Sequence, residues 1–266
     1  MKTHVYFFSL LLSVFFLSAC SSTKEVETLP VDVQYSKAEA LYNNDDYLEA
    51  IEAFKLIIIQ YPGSEFADKA QYYLAECRFK RGEFILAASE YDNLVRLMPS
   101  SPFAPLARYK KALSFYELSP RAQLDQKYTK LAIDEFQNFI EFYPKDTLVQ
   151  DAETKLSELS DKIAKKVFEN GLLYYRLEYY RAAIKYFDDL IEQYHDSQYT
   201  DDGYFWKAKC QYERRDYTAA LNTLSIVEEK YPQTDLKEKI TKLRADIQYD
   251  MAHPNPTFFE KLRSWL

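Results

Sequence analysis

Glycine is scarce in this chain, with four residues in 266, and cysteine, histidine and methionine contribute only three each. Four scattered glycines cannot build a glycine-rich phosphate loop, and with ten prolines they supply too few turn residues for an all-β chain. The histidines stand at 4, 195 and 253, so no His/Cys cluster has metal-ligand spacing. No Ser or Cys sits in a nucleophile motif, and no cofactor is expected. There is no basic block either: 34 Lys and Arg face 41 Asp and Glu, a net charge of −7. Nucleic-acid binding needs a clustered cationic stripe to neutralise phosphates, so it is excluded. What is abundant is aromatic: 24 Tyr and 18 Phe within 47% hydrophobic and 28% charged residues. That balance fits a folded body of bulky side chains packed between helices.

The first twenty residues differ in kind. Lys2 gives a positive start, Val5 to Leu17 is a short apolar run, and Leu17-Ser18-Ala19-Cys20 closes it with small residues before a cysteine. The run is too short to span a bilayer comfortably, which takes about 20 apolar residues. Residues 1–19 are therefore expected to be an export signal. Leu17-Ser18-Ala19-Cys20 resembles the bacterial lipobox, which implies cleavage before Cys20 and its acylation, hence attachment to a membrane through a lipid anchor. Ser21 in that pattern implies sorting to the outer membrane. Several acyl chains on one residue make such anchoring stable, where a single chain is marginal.

Beyond the signal, five segments repeat one pattern. A small residue is followed four later by an aromatic: Ala38/Tyr42, Ala75/Phe79, Ala112/Tyr116, Gly171/Tyr175 and Ala208/Tyr212. A second half starts with Ala and carries a large apolar residue: Ala50 with Phe54, Ala87 with Tyr91, Ala132 with Phe136, Ala183 with Phe187, Ala220 with Leu224. Tyr61-Pro62, Met98-Pro99, Tyr143-Pro144 and Tyr231-Pro232 end four of the repeats, with Tyr194-His195 in the remaining one. Proline cannot continue a helix, so it punctuates the repeats. The pattern resembles the tetratricopeptide repeat, a helix–turn–helix unit. The expected fold class is all-α, a right-handed α-solenoid of five tetratricopeptide-like helix pairs.

Two irregularities stand out. In repeat three, Tyr116 and Ala132 are sixteen apart where the other repeats have eight, so eight residues are inserted around Ser119-Pro120 to Lys127. Pro144 and Gly171 are 27 apart where Pro62/Ala75, Pro99/Ala112 and His195/Ala208 are 13 apart. Leu148, Ala152, Leu156, Leu159, Ile163 and Val167 recur at helical spacing, which predicts one long amphipathic helix leading into repeat four. The expected organisation is a signal (1–19), a lipidated Cys with its tether (20–30), repeats one to three (31–146), the long helix with repeats four and five and a capping helix (147–250), and a C-terminal tail (251–266).

Three sets of residues invite a functional reading. Tyr35, Tyr72 and Tyr109 each precede a small slot by three, as do Phe168 and Phe205; they either pack between repeats or line a groove for an extended peptide. After the His253-Pro254-Asn255-Pro256 break, Phe258, Phe259, Leu262, Trp265 and Leu266 form one helical stripe that either caps the solenoid or docks on a partner or the membrane surface. Cys77 and Cys210 occupy the same slot of different repeats and are expected to be unpaired core residues.

Together the lipobox, the five repeats and the long helix after the third resemble the BamD family, lipoprotein subunits of the outer-membrane β-barrel assembly machinery. Asp125-Gln126 before Ala132 and Phe136 is similar to that family's Arg-Asp-Gln segment, with Leu124 where the family has Arg. The resemblance implies a periplasm-facing scaffold on the outer membrane. Its N-terminal half would receive unfolded outer-membrane proteins, and its C-terminal half would dock the periplasmic domains of the barrel-forming subunit. The alternative is another tetratricopeptide scaffold of the cell envelope, serving peptidoglycan or a protease.

Overall fold

The computed structural model describes residues 29–253, and within them every regular element is an α-helix. The helices pair as α1 (Val31–Asn43) with α2 (Tyr47–Gln60), α3 (Ala67–Lys80) with α4 (Phe84–Leu97), α5 (Ala104–Leu118) with α6 (Lys127–Phe142), α7 (Val149–Arg176) with α8 (Tyr180–Gln193), and α9 (Thr200–Glu213) with α10 (Tyr217–Lys230). α11 (Lys237–Ala252) closes the stack against α10. It runs two residues beyond the expected boundary at 250, because nothing stops a helix there before the Pro254 that follows. Each helix packs chiefly on its neighbours in the chain, the nearest-neighbour architecture of a tetratricopeptide solenoid.

The turns explain the regularity. Between paired helices, Asp45, Gly82, Glu178 and Arg215 take φ of 61–74°, the left-handed region. The two amides after each first helix then fold back onto its last carbonyls: Asp45 N to Tyr42 O and Asp46 N to Leu41 O, repeated as Gly82/Phe79 with Glu83/Arg78, Glu178/Tyr175 with Tyr179/Tyr174, and Arg215/Tyr212 with Asp216/Gln211. The turns between repeats use a polar side chain instead. Ser101, Asp146, Ser197 and Thr234 each accept from the backbone N–H two residues on, at 2.9–3.3 Å, which fixes the entry to the next helix. Both kinds of turn alternate, so all second helices end at one edge of the solenoid, the Tyr-Pro edge, and the tight intra-pair turns lie at the other.

The small slots do what close helix crossing requires. Ala38, Ala75, Ala112 and Ala208 are completely buried against the second-half alanines Ala50, Ala87, Ala132 and Ala220 of their own pairs. At Gly171 even an alanine is too large: a Cβ there would sit 2.5 Å from the Phe187 ring. Cys77 and Cys210 are buried in separate clusters and free, as their common slot predicts. Burial pushes both thiols up to about 12, so neither is a thiolate at neutral pH.

Candidate protein-binding surfaces

The tyrosine ladder lies inside the core. Tyr35, Tyr72 and Tyr109 are 3, 7 and 7% exposed. Tyr35 stacks on Phe66 and Tyr72 on Phe103 at 5.1 Å between centroids, and Phe168 stacks on Tyr199 at 5.8 Å. Each partner lies 31 residues ahead, immediately before the first helix of the next repeat. Tyr109, whose repeat carries the eight-residue insertion, has Leu148, 39 residues ahead, immediately before the next first helix, and packs edge-on to Phe136 and Phe139 instead. The tyrosine rings therefore offer no face to a peptide, because the seam between repeats needs their bulk.

Their hydroxyls are also committed. Tyr35 donates to Glu39 at 3.3 Å, Tyr72 to Glu76 at 3.2 Å, and Tyr109 to Asp151. Tyr116 donates to Glu158 and Tyr212 to Asp250, at 2.6 and 2.8 Å. Burial and then the neighbouring carboxylate raise the phenols of Tyr35 and Tyr72 far above the usual tyrosine range. Glu76 is the most enclosed of these acceptors. It takes the hydroxyls of Tyr72 and Tyr91 and pairs with Lys110 of repeat three at 2.9 Å, a charged staple between repeats.

The open surfaces arise where the repeat is broken. α7 has 28 residues and is about 42 Å long, twice the usual first helix. Its first half buries Ala152 and Leu159 against Ala132, Phe136 and Phe139 of repeat three. Its second half brings Phe168 and Leu172 to Ala183 and Phe187 of repeat four. The middle of α7 thus separates α6 from α8, and two adjoining grooves of ≈ 540 and ≈ 410 Å³ run along it. Both share Lys130, Ile163, Gln193 and Tyr194. Ser157, Ser160, Gln137 and Asn170 add neutral donors and acceptors, and Asp134, Asp161, Lys127 and Lys166 add charges of both signs. Such a channel can hold an extended backbone by hydrogen bonds along its length.

The eight-residue insertion of repeat three is pinned to the same helix. Lys162 donates to the Ser119 hydroxyl at 2.8 Å, Lys166 to the Leu124 carbonyl at 2.6 Å, and Gln123 to Glu169 at 2.8 Å. Within the insertion, the buried amide of Gln126 donates to the carbonyls of Arg121, Ala122 and Leu124 and accepts from Thr129. Asp125 accepts from the Lys127 amide at the start of α6. The Asp125-Gln126 pair singled out in the sequence is thus a device that shapes the loop. Sequence reasoning identified the pair without its role, since a buried glutamine and a solvated one are written alike.

A second surface lies at the intra-pair turn of repeat four. The residues flanking the left-handed position are polar elsewhere, Asn44 and Asp46, Arg81 and Glu83, Arg214 and Asp216, but here they are Leu177 and Tyr179, both more than half exposed. Leu173 is exposed beside them, and Tyr179, Tyr180, Ala182 and Arg214 line an apolar hollow of ≈ 430 Å³. The acidic N-cap of pairs one, two and five, Asp46, Glu83 and Asp216, which favours the positive helix end, is replaced here by Tyr179. Phe258, Phe259, Leu262 and Trp265 of the C-terminal stripe, and Cys20, lie outside the described residues.

Among the described residues no group of His, Cys, Asp and Glu could hold a metal ion, and no helix is long and apolar enough to cross a membrane. Stacked helix pairs packed neighbour on neighbour define a class, the tetratricopeptide-repeat solenoid. A tetratricopeptide profile matches residues 202–234, and the profile of the outer membrane lipoprotein family YfiO matches residues 28–209. The chain belongs to that outer membrane lipoprotein family, and it is a scaffold and not an enzyme. It is 25% identical to the outer membrane protein assembly factor BamD of Rickettsia prowazekii over 67% of this chain and 72% of that one. It is 22% identical to the BamD of Pasteurella multocida over 94% of this chain and 91% of that one. Among solved structures, the TPR2AB domain of yeast Sti1 is 14% identical with a TM-score of 0.40, covering 82% of this chain and 98% of that one.

Proposed function

We propose that the protein is a lipid-anchored, periplasm-facing scaffold of the outer membrane that serves the assembly and insertion of β-barrel proteins. The observation that carries the reading is the similarity to the Pasteurella multocida assembly factor BamD along nine-tenths of both chains, the length over which both surfaces lie. Cys20 carries the acyl chains, and the nine residues after it form the tether. The grooves along α7 take an extended segment of an unfolded outer-membrane protein, whose unpaired backbone suits the hydroxyl and amide groups there. The Leu177–Tyr179 corner of the C-terminal half docks the barrel-forming subunit through its periplasmic domains, since an exposed apolar patch rimmed by polar residues marks a contact. The C-terminal stripe with Phe258 and Trp265 is a second docking element for the same subunit.

A tagged copy purified from detergent-solubilised envelope tests the reading. Recovery of a large β-barrel protein, lost with Leu177→Ser and Tyr179→Ser together, is the expected result. A photo-crosslinker at Ser157 should capture newly exported outer-membrane proteins, whereas one at Lys239 on α11 should not. Equal capture at both sites, or no β-barrel protein in the eluate, overturns the proposal.

A further inference from the structure

We infer that the Tyr-Pro edge of repeats one to three lies against the membrane surface, so that the protein touches lipid through its fold as well as through its anchor. Ile59, Leu97 and Phe142 are 75, 71 and 61% exposed, and among the exposed large hydrophobic side chains only Tyr179 and Tyr249, at 62 and 64%, compare with them. All three occupy the last turn of a second helix, one or two residues before Tyr61, Met98 and Tyr143. In repeats four and five the same two positions are Glu192-Gln193 and Glu229-Lys230. The apolar knobs thus end where the first half of the solenoid ends, on a single edge.

The place where the tether leaves the fold says what covers that edge. The Leu29 carbonyl accepts from the Tyr61 hydroxyl and from the Gln34 side-chain amide, each at 3.0 Å, so the chain exits at Tyr61, two residues along from Ile59. Leu29 is nine steps along the chain from Cys20, a reach of about 30 Å when fully extended. An anchor of that length holds repeat one close to the bilayer with this edge leading. The turns after Tyr61, Met98 and Tyr143 carry Glu65, Lys145 and Asp146, a net charge of −1 over three turns, against −2 over the two turns that hold Asp196 and Asp235. Arg108 places its guanidinium over the Phe142 ring at 4.2 Å and forms no ion pair among the described residues. Apolar knobs with an unpaired arginine behind them suit the phosphate level of a bilayer, where aliphatic side chains enter the acyl boundary and cations meet headgroups.

The inference rests on the lipid anchor proposed above, and the test separates the two. The mature lipidated protein, carrying Leu97→Cys labelled with an environment-sensitive fluorophore, is reconstituted on vesicles of phosphatidylethanolamine and phosphatidylglycerol. The same label at Leu86→Cys and at Gln193→Cys provides the comparison; the buried Cys77 and Cys210 stay unlabelled. The probe at 97 should shift to the blue, lose quenching by aqueous iodide and gain quenching by headgroup nitroxide lipids, with neither change at 86 or 193. Ile59→Ser with Phe142→Ser should abolish the shift at 97 while helicity is unchanged. If the protein does not float with vesicles, the anchor fails and the inference with it. If it floats and all three probes stay wet, the anchor stands and the membrane-facing edge is overturned. Shielding of 97 that appears only on adding solubilised envelope proteins assigns the edge to a protein partner and likewise overturns the inference.

Discussion

Lys166, on the long helix α7, donates to the carbonyl oxygen of Leu124 in the enlarged turn of repeat three at 2.6 Å. Together with Lys162 and Glu169 it makes the insertion a part of the middle of α7 rather than a free excursion. The backbone of that insertion is organised by one side chain, Gln126. Gln126→Ala would leave the buried Ala122 carbonyl without a donor, the Arg121 and Leu124 carbonyls with only the Leu124 amide and Lys166, and the Thr129 hydroxyl with only Ser119, at a cost of about 1–3 kcal/mol. Gln123→Ala, at an exposed contact, should cost less than about 0.5 kcal/mol. Urea unfolding midpoints measure both, and equal midpoints would remove Gln126 from this role.

Gly171→Ala should destabilise despite improving helix propensity. The propensity gain is about 1 kcal/mol. Against it, the added Cβ falls 2.5 Å from the fully buried Phe187 ring, which must shift to admit it, and overpacking costs about 1–3 kcal/mol. The double variant Gly171→Ala, Phe187→Leu should recover part of the loss in a thermal melt.

The left-handed turn residues point the opposite way. Glu178 and Arg215 hold φ of 61°, where an L side chain costs about 1–2 kcal/mol and glycine costs nothing steric. Glu178→Gly and Arg215→Gly should each raise stability by about 0.5–1 kcal/mol once glycine's extra chain entropy is counted. Gly82→Ala, at φ 74°, should lower it by a similar amount. Denaturant titrations of the three variants give the signs directly.

Alkali should unfold the protein through its tyrosines. The hydrogen bond to Glu158, then burial, pushes Tyr116 up to about 12; the bond to Asp250, then burial, does the same for Tyr212. A folded value above the unfolded value of about 10 means that the protonated phenol is favoured in the fold. Its contribution is complete below pH 10 and is lost as pH rises toward 12. Phenolate absorbance followed against helicity should show a late class of tyrosines ionising together with loss of helix, and Tyr116→Phe should shrink that class.

The features read from the sequence are those set by burial. Ala38, Ala75 and Ala112 recur because two helices cross there, and a crossing tolerates nothing larger, so the repeat is visible as spacing. The length of α7 was visible for the same reason, in the apolar stripe from Leu148 to Val167. The destination of Tyr35, Tyr72 and Tyr109 was not, because a ring that stacks on the next repeat has the same neighbours in sequence as one that lines a groove. Nor were the carboxylates holding their hydroxyls: Glu39, Glu76 and Asp151 sit on helix surfaces at spacings identical to those of solvated acids. The grooves on α7 are made by absence of a neighbour, which leaves no mark on periodicity.

α7 has a consequence for how the chain can be divided. Its N-terminal half completes the core around Phe136 and Phe139, and its C-terminal half opens the core around Phe187, so neither half of the molecule owns an intact boundary. A cut between repeats two and three would sever a turn; a cut inside α7 would sever a shared structural member. Two fragments broken near Asp161 would each carry one raw helix end and half of the groove floor, and each would be the other's natural ligand. The helix that separates the halves is thus also the bond between them, and the binding channel exists only while that bond is whole.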